Sequence, residues 1–272
     1  MVRINLPPIT KSRLMGDFKK LGIKPADAIM FHASVKAIGW IVGGPDVVIQ
    51  ALLDVLEKEG TLMMYVGWED SPYNLAKWSK NWQQAYLKEC PSFNPRTSRA
   101  HRKWSILTEY LRTWPSAYRS GHPDASCAAV GAKAKWLTEN HPLQYGYGLD
   151  SPLDKLCKTK GKVLLLGAPF GSITLLHYAE HLANVTNKQV VRYKMPILQN
   201  GKKVWVEIEE FDTCGNILPD AREYFEIIPR EFLAIGRGRC GKVGAAQSYL
   251  FDADEFVKFA VQWLERKYSK QS

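Results

Sequence analysis

No stretch of the chain approaches the twenty or so consecutive apolar residues that a bilayer-spanning helix needs. Residues 1–10 carry neither a long apolar region nor a small-residue cleavage site, so a cytoplasmic protein is expected. Cysteine is sparse. Cys90, Cys127, Cys157, Cys214 and Cys240 are scattered, odd in number and form no Cys-x-x-Cys pair, which argues against a disulfide framework and a thiolate metal site. They are expected to be reduced and mostly buried. Repeats, Gly/Ser linkers and low-complexity runs are missing too, so residues 1–272 are expected to form one domain. Lys and Arg outnumber Asp and Glu for a net charge of +10, yet no dense basic run makes a nucleic-acid stripe. The charge favours a small anionic partner such as a phosphorylated cofactor.

What the chain does contain is strands alternating with helices, the pattern of an α/β layered fold. Residues 28–33, 60–66 and 126–130 read as short buried strands, and the apolar run 161–167 suits a strand covered on both faces. Residues 190–196 and 203–209 add two more strands. Helical spacing marks residues 10–21, stopped by Gly22, and 45–58, with Pro45 at a first helical position and Asp46 complementing the dipole. Further helices are expected over 106–114, 173–185, 224–233 and 251–268. Residues 74–105, polar and Trp-rich with Pro91 and Pro95, read as an inserted segment of helices and loops. Gly43 and Gly44, between the first strand and the helix at 45–58, fit either a backbone anion site at a helix N-terminus or no more than a tight turn.

The chemistry concentrates in residues 171–183, a helix that carries His177, Glu180 and His181 on one face. Three readings compete. The face is merely solvated; or His177, Glu180 and His181 form an inverted zinc-protease motif, with Glu255 as a distant acidic ligand; or His177 is a general base oriented by a carboxylate. Gly236-Arg-Gly-Arg-Cys-Gly241 matches a dinucleotide-binding pattern, but it leads into a strand-like stretch where that motif requires a helix.

Several segments in one order resemble the aminoglycoside N(3)-acetyltransferase family: Phe31-His-Ala-Ser-Val-Lys-Ala-Ile-Gly39 with Gly43-Gly44, Trp68-Glu-Asp-Ser-Pro-Tyr73, Arg119-Ser-Gly-His-Pro-Asp-Ala-Ser126, Asp150-Ser-Pro152, Leu164-Leu-Leu-Gly-Ala-Pro169 and Thr174-Leu-Leu-His-Tyr-Ala-Glu180. The Trp68 and His122 segments are most similar to its gentamicin-type branch. The turn Phe211-Asp-Thr-Cys-Gly215 departs from the family's usual Tyr-Asp-Ser-Asn-Gly, and residues 219–232 look shorter than in close relatives. Both lie where the family shapes its antibiotic pocket.

The resemblance implies an αβα layered fold with a central mixed sheet, unrelated to the common GNAT acetyltransferase fold. It implies acetyl-CoA as cofactor and transfer of acetyl to the 3-amino group of the 2-deoxystreptamine ring, conferring antibiotic resistance. The partner is then a small-molecule aminoglycoside, with no nucleic acid, membrane or metal, and the protein a monomer or homodimer. His177 becomes the base, Glu180 its orienting group or a holder of the cationic sugar, and Thr174 and Ser34 the oxyanion donors. The cofactor falls to His32, Ala33, Ser34, Val35, Lys36, Ile38, Gly39, Gly43 and Gly44, with Arg119 and Ser120. The antibiotic falls to Tyr65, Trp68, Asp70, Asp124, Asp150, Asp212 and Glu223, with Glu69 in reserve. A relative acting on another amine, a zinc hydrolase and a non-catalytic binder of sugars or nucleotides stay open as alternatives.

Overall fold

Alternation along the strands sets the architecture, because successive side chains leave opposite faces of a sheet. In β1 (Ala28–Ala33), Ala28 and Met30 enter one apolar cluster while Ile29, Phe31 and Ala33 enter another. In β5 (Lys162–Leu166), Val163 and Leu165 join the first cluster, and Leu164 and Leu166 the second. Strands apolar on both faces must be covered on both.

The structure, a computed structural model, describes residues 7–215, 217–218 and 223–269. Besides β1 and β5, the main sheet holds β2 (Thr61–Tyr65), β3 (Tyr118–Arg119), β4 (Cys127–Gly131), β8 (Arg239–Val243) and β9 (Ala246–Asp252), in the order β3-β4-β2-β1-β5-β9-β8. β2, β1 and β5 run parallel, and every other pairing is antiparallel. One face is covered by α1 (Lys11–Leu21), α2 (Val35–Ile38), α3 (Val47–Leu56) and α5 (Ile106–Arg112). The other is covered by α6 (Ala134–Thr138), α7 (Pro152–Lys158), α8 (Leu175–Leu182), α9 (Tyr224–Ala234) and α10 (Ala253–Tyr268). This is the expected αβα layering around a mixed sheet.

Two elements stand outside those layers. The first is α4 (Lys80–Glu89), in the expected insertion, none of whose side chains is buried. The second is a ribbon of β6 (Val190–Gln199) and β7 (Lys202–Phe211), paired from Val190↔Phe211 to Gln199↔Lys202. Asn200 and Gly201, with φ of 50° and 75°, close it as a two-residue hairpin. Phe93 bridges to Ile197 and ties the insertion to the ribbon.

Some expected boundaries move. α3 begins at Val47 with Asp46 as its cap, so Pro45 lies outside the helix. β9 continues through Asp252, whose side chain caps α10, so Phe251 is in a strand rather than a helix. The short helices α6 and α7 show no sequence periodicity because five and seven residues make fewer than two turns. Only Cys90 and Cys127 are buried; Cys157 is half-buried, and Cys214 and Cys240 are exposed. No described helix is long and apolar enough to cross a membrane.

The β2–β4 pairing depends on Gly131, opposite Thr61 in the register. Its φ is +117°, and a Cβ there would stand 2.2 Å from the Gly60 carbonyl oxygen and 2.8 Å from the Thr61 Cα. Backbone atoms inside a sheet cannot yield as a flexible side chain would. Gly131→Ala is therefore expected to cost about 1–3 kcal/mol in urea unfolding; an unchanged midpoint would show that the strand end relaxes freely.

Candidate active site

The parallel strands β1, β2 and β5 end together at Ala33, Tyr65 and Leu166, where open α/β sheets form ligand crevices. From β5 the chain passes through Gly167 and a short 3₁₀ turn (Phe170–Ser172) directly into α8. A cavity of about 480 Å³ opens there, with His32, Ser34, Tyr65, Tyr147, Thr174 and His177 among its lining residues.

His177 lies on the first turn of α8, and its Nδ1 is 2.6 Å from Glu180 Oε2. The Glu180 side chain is only 1% exposed, and its other oxygen accepts the Tyr224 hydroxyl. A carboxylate only accepts, so Nδ1 carries the hydrogen and the neutral ring keeps its acceptor at Nε2. The ring, 19% exposed, rests between Tyr147 and Phe225, each 5.2 Å away between centroids. Thr174 precedes the helix with no capping bond from its side chain.

His181 has a separate environment. Its Nε2 lies 2.9 Å from Glu210 Oε1, both groups are buried, and the ring packs edge-on against Phe211. Each histidine thus faces its own carboxylate, while Glu255 is exposed on the first turn of α10. Among the described residues no three His, Cys, Asp or Glu side chains cluster to hold a metal ion. The spacing that suggested zinc places two histidines on α8, each beside a different carboxylate, Glu180 of α8 and Glu210 of β7.

An acidic region adjoins His177. Tyr65 donates to the Asp124 carbonyl and is 2.7 Å from the Tyr147 hydroxyl, while the Tyr193 hydroxyl lies 3.4 Å from Asp124 Oδ2. Burial first, then the charge of Glu210, pushes the Asp124 carboxyl up to about 6. His122 fixes this turn: its Nδ1 accepts the backbone N–H of Asp124 and of Ala125, and burial keeps the ring far below its ordinary pKa.

The expected site residues divide by location. His32, Ala33, Ser34, Tyr65, Thr174 and His177 line the cavity, with Glu180 behind His177. Asp212 precedes the lining residues Thr213 and Cys214, and accepts the Gly215 N–H at 2.5 Å. Val35, Lys36 and Ile38 belong to α2, with Ile38 buried in the core and Lys36 exposed; Gly39 ends that helix. Gly43 and Gly44, both at positive φ, shape the turn into α3. Arg119 turns inward, bonding the carbonyls of Gly67 and Ser98 over the Phe93 ring, and burial lowers its pKa to about 9. Ser120 is fully buried, bonded to Cys127 N and His141. Trp68 is 1% exposed against Phe93. Glu69 pairs with Arg102 and Asp70 with Arg99. Asp150 pairs with Lys158, and Glu223 is exposed; neither lines the cavity. The shortening expected at 219–232 falls partly on residues 219–222, outside the described residues.

Residues that sequence reasoning missed are Tyr147, Tyr224, Phe225, Glu210 and Trp104. Trp104 stacks 4.5 Å from Tyr65 at the cavity mouth. Tyr147 had a signal, the glycines on either side: a Cβ at Gly146 would stand 2.6 Å from His122 Nε2, and one at Gly148 2.8 Å from His181 Nδ1. Close approach of this kind is what glycine permits.

A tautomer-fixed imidazole at the carboxyl ends of parallel strands, beside an acidic recess, defines an acid–base site on an αβα scaffold. A family model described as aminoglycoside 3-N-acetyltransferase matches residues 30–265. Aminoglycoside N(3)-acetyltransferase III of Pseudomonas aeruginosa is 50% identical over 268 residues, covering 98% of this chain and 97% of that protein. The crystal structure of aminoglycoside acetyltransferase AAC(3)-Xa superposes with a TM-score of 0.92 at 43% identity, covering 97% and 95% of the two chains. That of AAC-IIIb, a binary complex with CoASH, superposes at 0.90 and 44%, covering 98% and 100%. The chain belongs to the aminoglycoside 3-N-acetyltransferase family.

The raised Asp124 carboxyl has a stability consequence. A carboxyl that holds its proton more tightly folded than unfolded favours folding at low pH, and that contribution is lost as pH rises from its ordinary value near 3.8 through about 6. Asp124→Asn should therefore raise the melting temperature at pH 7.5 and leave it nearly unchanged at pH 4. Equal gains at both pH values would mean that ionisation of Asp124 is not what the fold opposes.

Proposed function

We propose that this chain is an acetyl-CoA-dependent aminoglycoside 3-N-acetyltransferase that confers resistance by acetylating the 3-amino group of the 2-deoxystreptamine ring. One observation carries the reading: His177 has its Nδ1–H committed to a buried carboxylate, and this leaves Nε2 as a base at the cavity. An amine that is protonated at neutral pH must lose a proton to attack a carbonyl, and an imidazole is suited to accept it. The ammonium first gives one proton to solvent; Nε2 then takes a second from the attacking amine as the C–N bond forms and returns it to sulfur as the C–S bond breaks. Glu180 stabilises the transient imidazolium and Tyr224 holds Glu180.

The cavity walls fit the cofactor. A second hollow of about 500 Å³ shares Ala168 and Pro169 with the first, making an extended groove for a long, narrow arm. Gly167, at φ +64°, keeps the exit of β5 open, where a Cβ would stand 2.6 Å from Ala37. Arg230, stacked on Phe170 and paired with Glu226, lines that groove. Acetyl-CoA supplies the acetyl group as an activated thioester. Thr174 and Ser34 offer hydroxyls on the cavity wall to the oxygen of that group. Asp124, whose carboxylate the Tyr193 hydroxyl approaches, supplies the local acidity that a polycationic antibiotic needs in a basic chain. Two clusters sharing one sheet favour a single catalytic domain. We place the enzyme in the cytoplasm as a monomer or homodimer.

Thiol release from acetyl-CoA with gentamicin, tobramycin, kanamycin and apramycin as acceptors, with and without a metal chelator, tests the reading. Chelator-insensitive turnover is expected, and none with any acceptor would sink it. His177→Ala should lower kcat by about two to four orders of magnitude. Glu180→Gln should have a comparable effect, because an amide no longer enforces the tautomer. Near wild-type turnover in His177→Ala would remove the base assignment.

A further inference from the structure

The resemblance gives His32 to the cofactor, and its surroundings define a narrower task. His32 is the only polar side chain in β1, a strand otherwise made of Ala, Ile, Met and Phe. By strand alternation it leaves the sheet on the same face as Ala28 and Met30, the face that α8 covers. It lines the same cavity as Thr174 and His177, with Leu165 of β5 beside it in the register. Its Nε2 is buried and has no hydrogen-bond partner among the described residues. Leaving such a group unpaired costs about 1–3 kcal/mol, and an apolar ring would fill the position without that cost. His122 and His141 show how the fold treats structural histidines, since both ring nitrogens of each are engaged.

Burial alone holds the His32 imidazole down to about 4. At working pH it is therefore an uncharged N–H donor, and neither a base nor a cation. An uncharged imidazole used this way polarises a carbonyl without needing a counter-charge. The base, by contrast, is the histidine backed by a carboxylate. Two histidines in one cavity, one paired with Glu180 and one whose Nε2 has no partner among the described residues, have environments suited to opposite tasks.

We propose that His32 is a catalytic residue whose imidazole N–H donates a hydrogen bond to the carbonyl oxygen of the acetyl thioester, strengthening as negative charge develops there, while His177 handles the amine proton. The inference rests on the acetyltransferase reading above. It differs from simple cofactor binding because the hydrogen bond goes to an atom that free CoA lacks.

The test compares His32→Phe, which keeps a flat ring without an N–H, with His32→Gln, which keeps a donor. His32→Phe should lower kcat by about 10²–10³, the usual loss for one oxyanion donor, while its affinity for free CoA, measured by calorimetry, stays within twofold of wild type. His32→Gln should recover at least tenfold of the lost kcat. If His32→Phe melts early, the smaller His32→Leu makes the same comparison. Wild-type kcat in the donor-less variant, or a loss of CoA affinity parallel to the loss of activity, would overturn the assignment while the acetyltransferase reading stands. A wild-type protein without turnover would overturn both.

Discussion

A carboxylate buried as deeply as Glu180 is costly unless its oxygens are engaged. Here one oxygen takes the Tyr224 hydroxyl from α9 and the other takes Nδ1–H of His177 from its own helix. The site depends on that arrangement. It links α8 to α9 across the core, fixes the imidazole tautomer and leaves one nitrogen for chemistry. The covering rings of Tyr147 and Phe225 keep the ring oriented while the cavity reaches it from one side.

Around this centre the protein separates charges by layer. The hollow beyond the end of β5 is lined by Phe170 and Tyr249 together with the Arg230–Glu226 pair. Asp124 and Glu210 lie toward the β6–β7 ribbon, where Tyr193 reaches Asp124. Burying Asp124 near Glu210 costs stability through desolvation and mutual repulsion. Strain of this kind at a binding site is common where function and stability compete.

The fold was largely legible in residue order. Apolar runs at β1, β2 and β5 announced strands covered on both faces, and the stripes of α1, α3 and α10 announced their helices. Short elements were not, because α6 and α7 are too brief for a period to show. The pairing of β6 with β7 outside the main sheet also escaped notice, although Asn200-Gly201 is the turn chemistry such a hairpin uses.

For the site, the sequence by itself determined the local pair. His177 and Glu180 are three residues apart on a helix, so helical geometry alone brings them together. It determined equally that residues 28–33 form a strand followed by a loop, and the structure placed the end of that strand, with His32 and Ser34, at the cavity. Only tertiary structure decided which polar residues serve packing instead. Arg119 and Ser120 were given to the cofactor by the resemblance, yet neither lines the cavity, and their hydrogen bonds go to Gly67, Ser98, Ser126, Cys127 and His141. Tyr147, Glu210 and Tyr224 reach the site from distant segments. Their positions follow from how helices and ribbon pack on the sheet, and contacts at that separation leave no periodic trace in sequence.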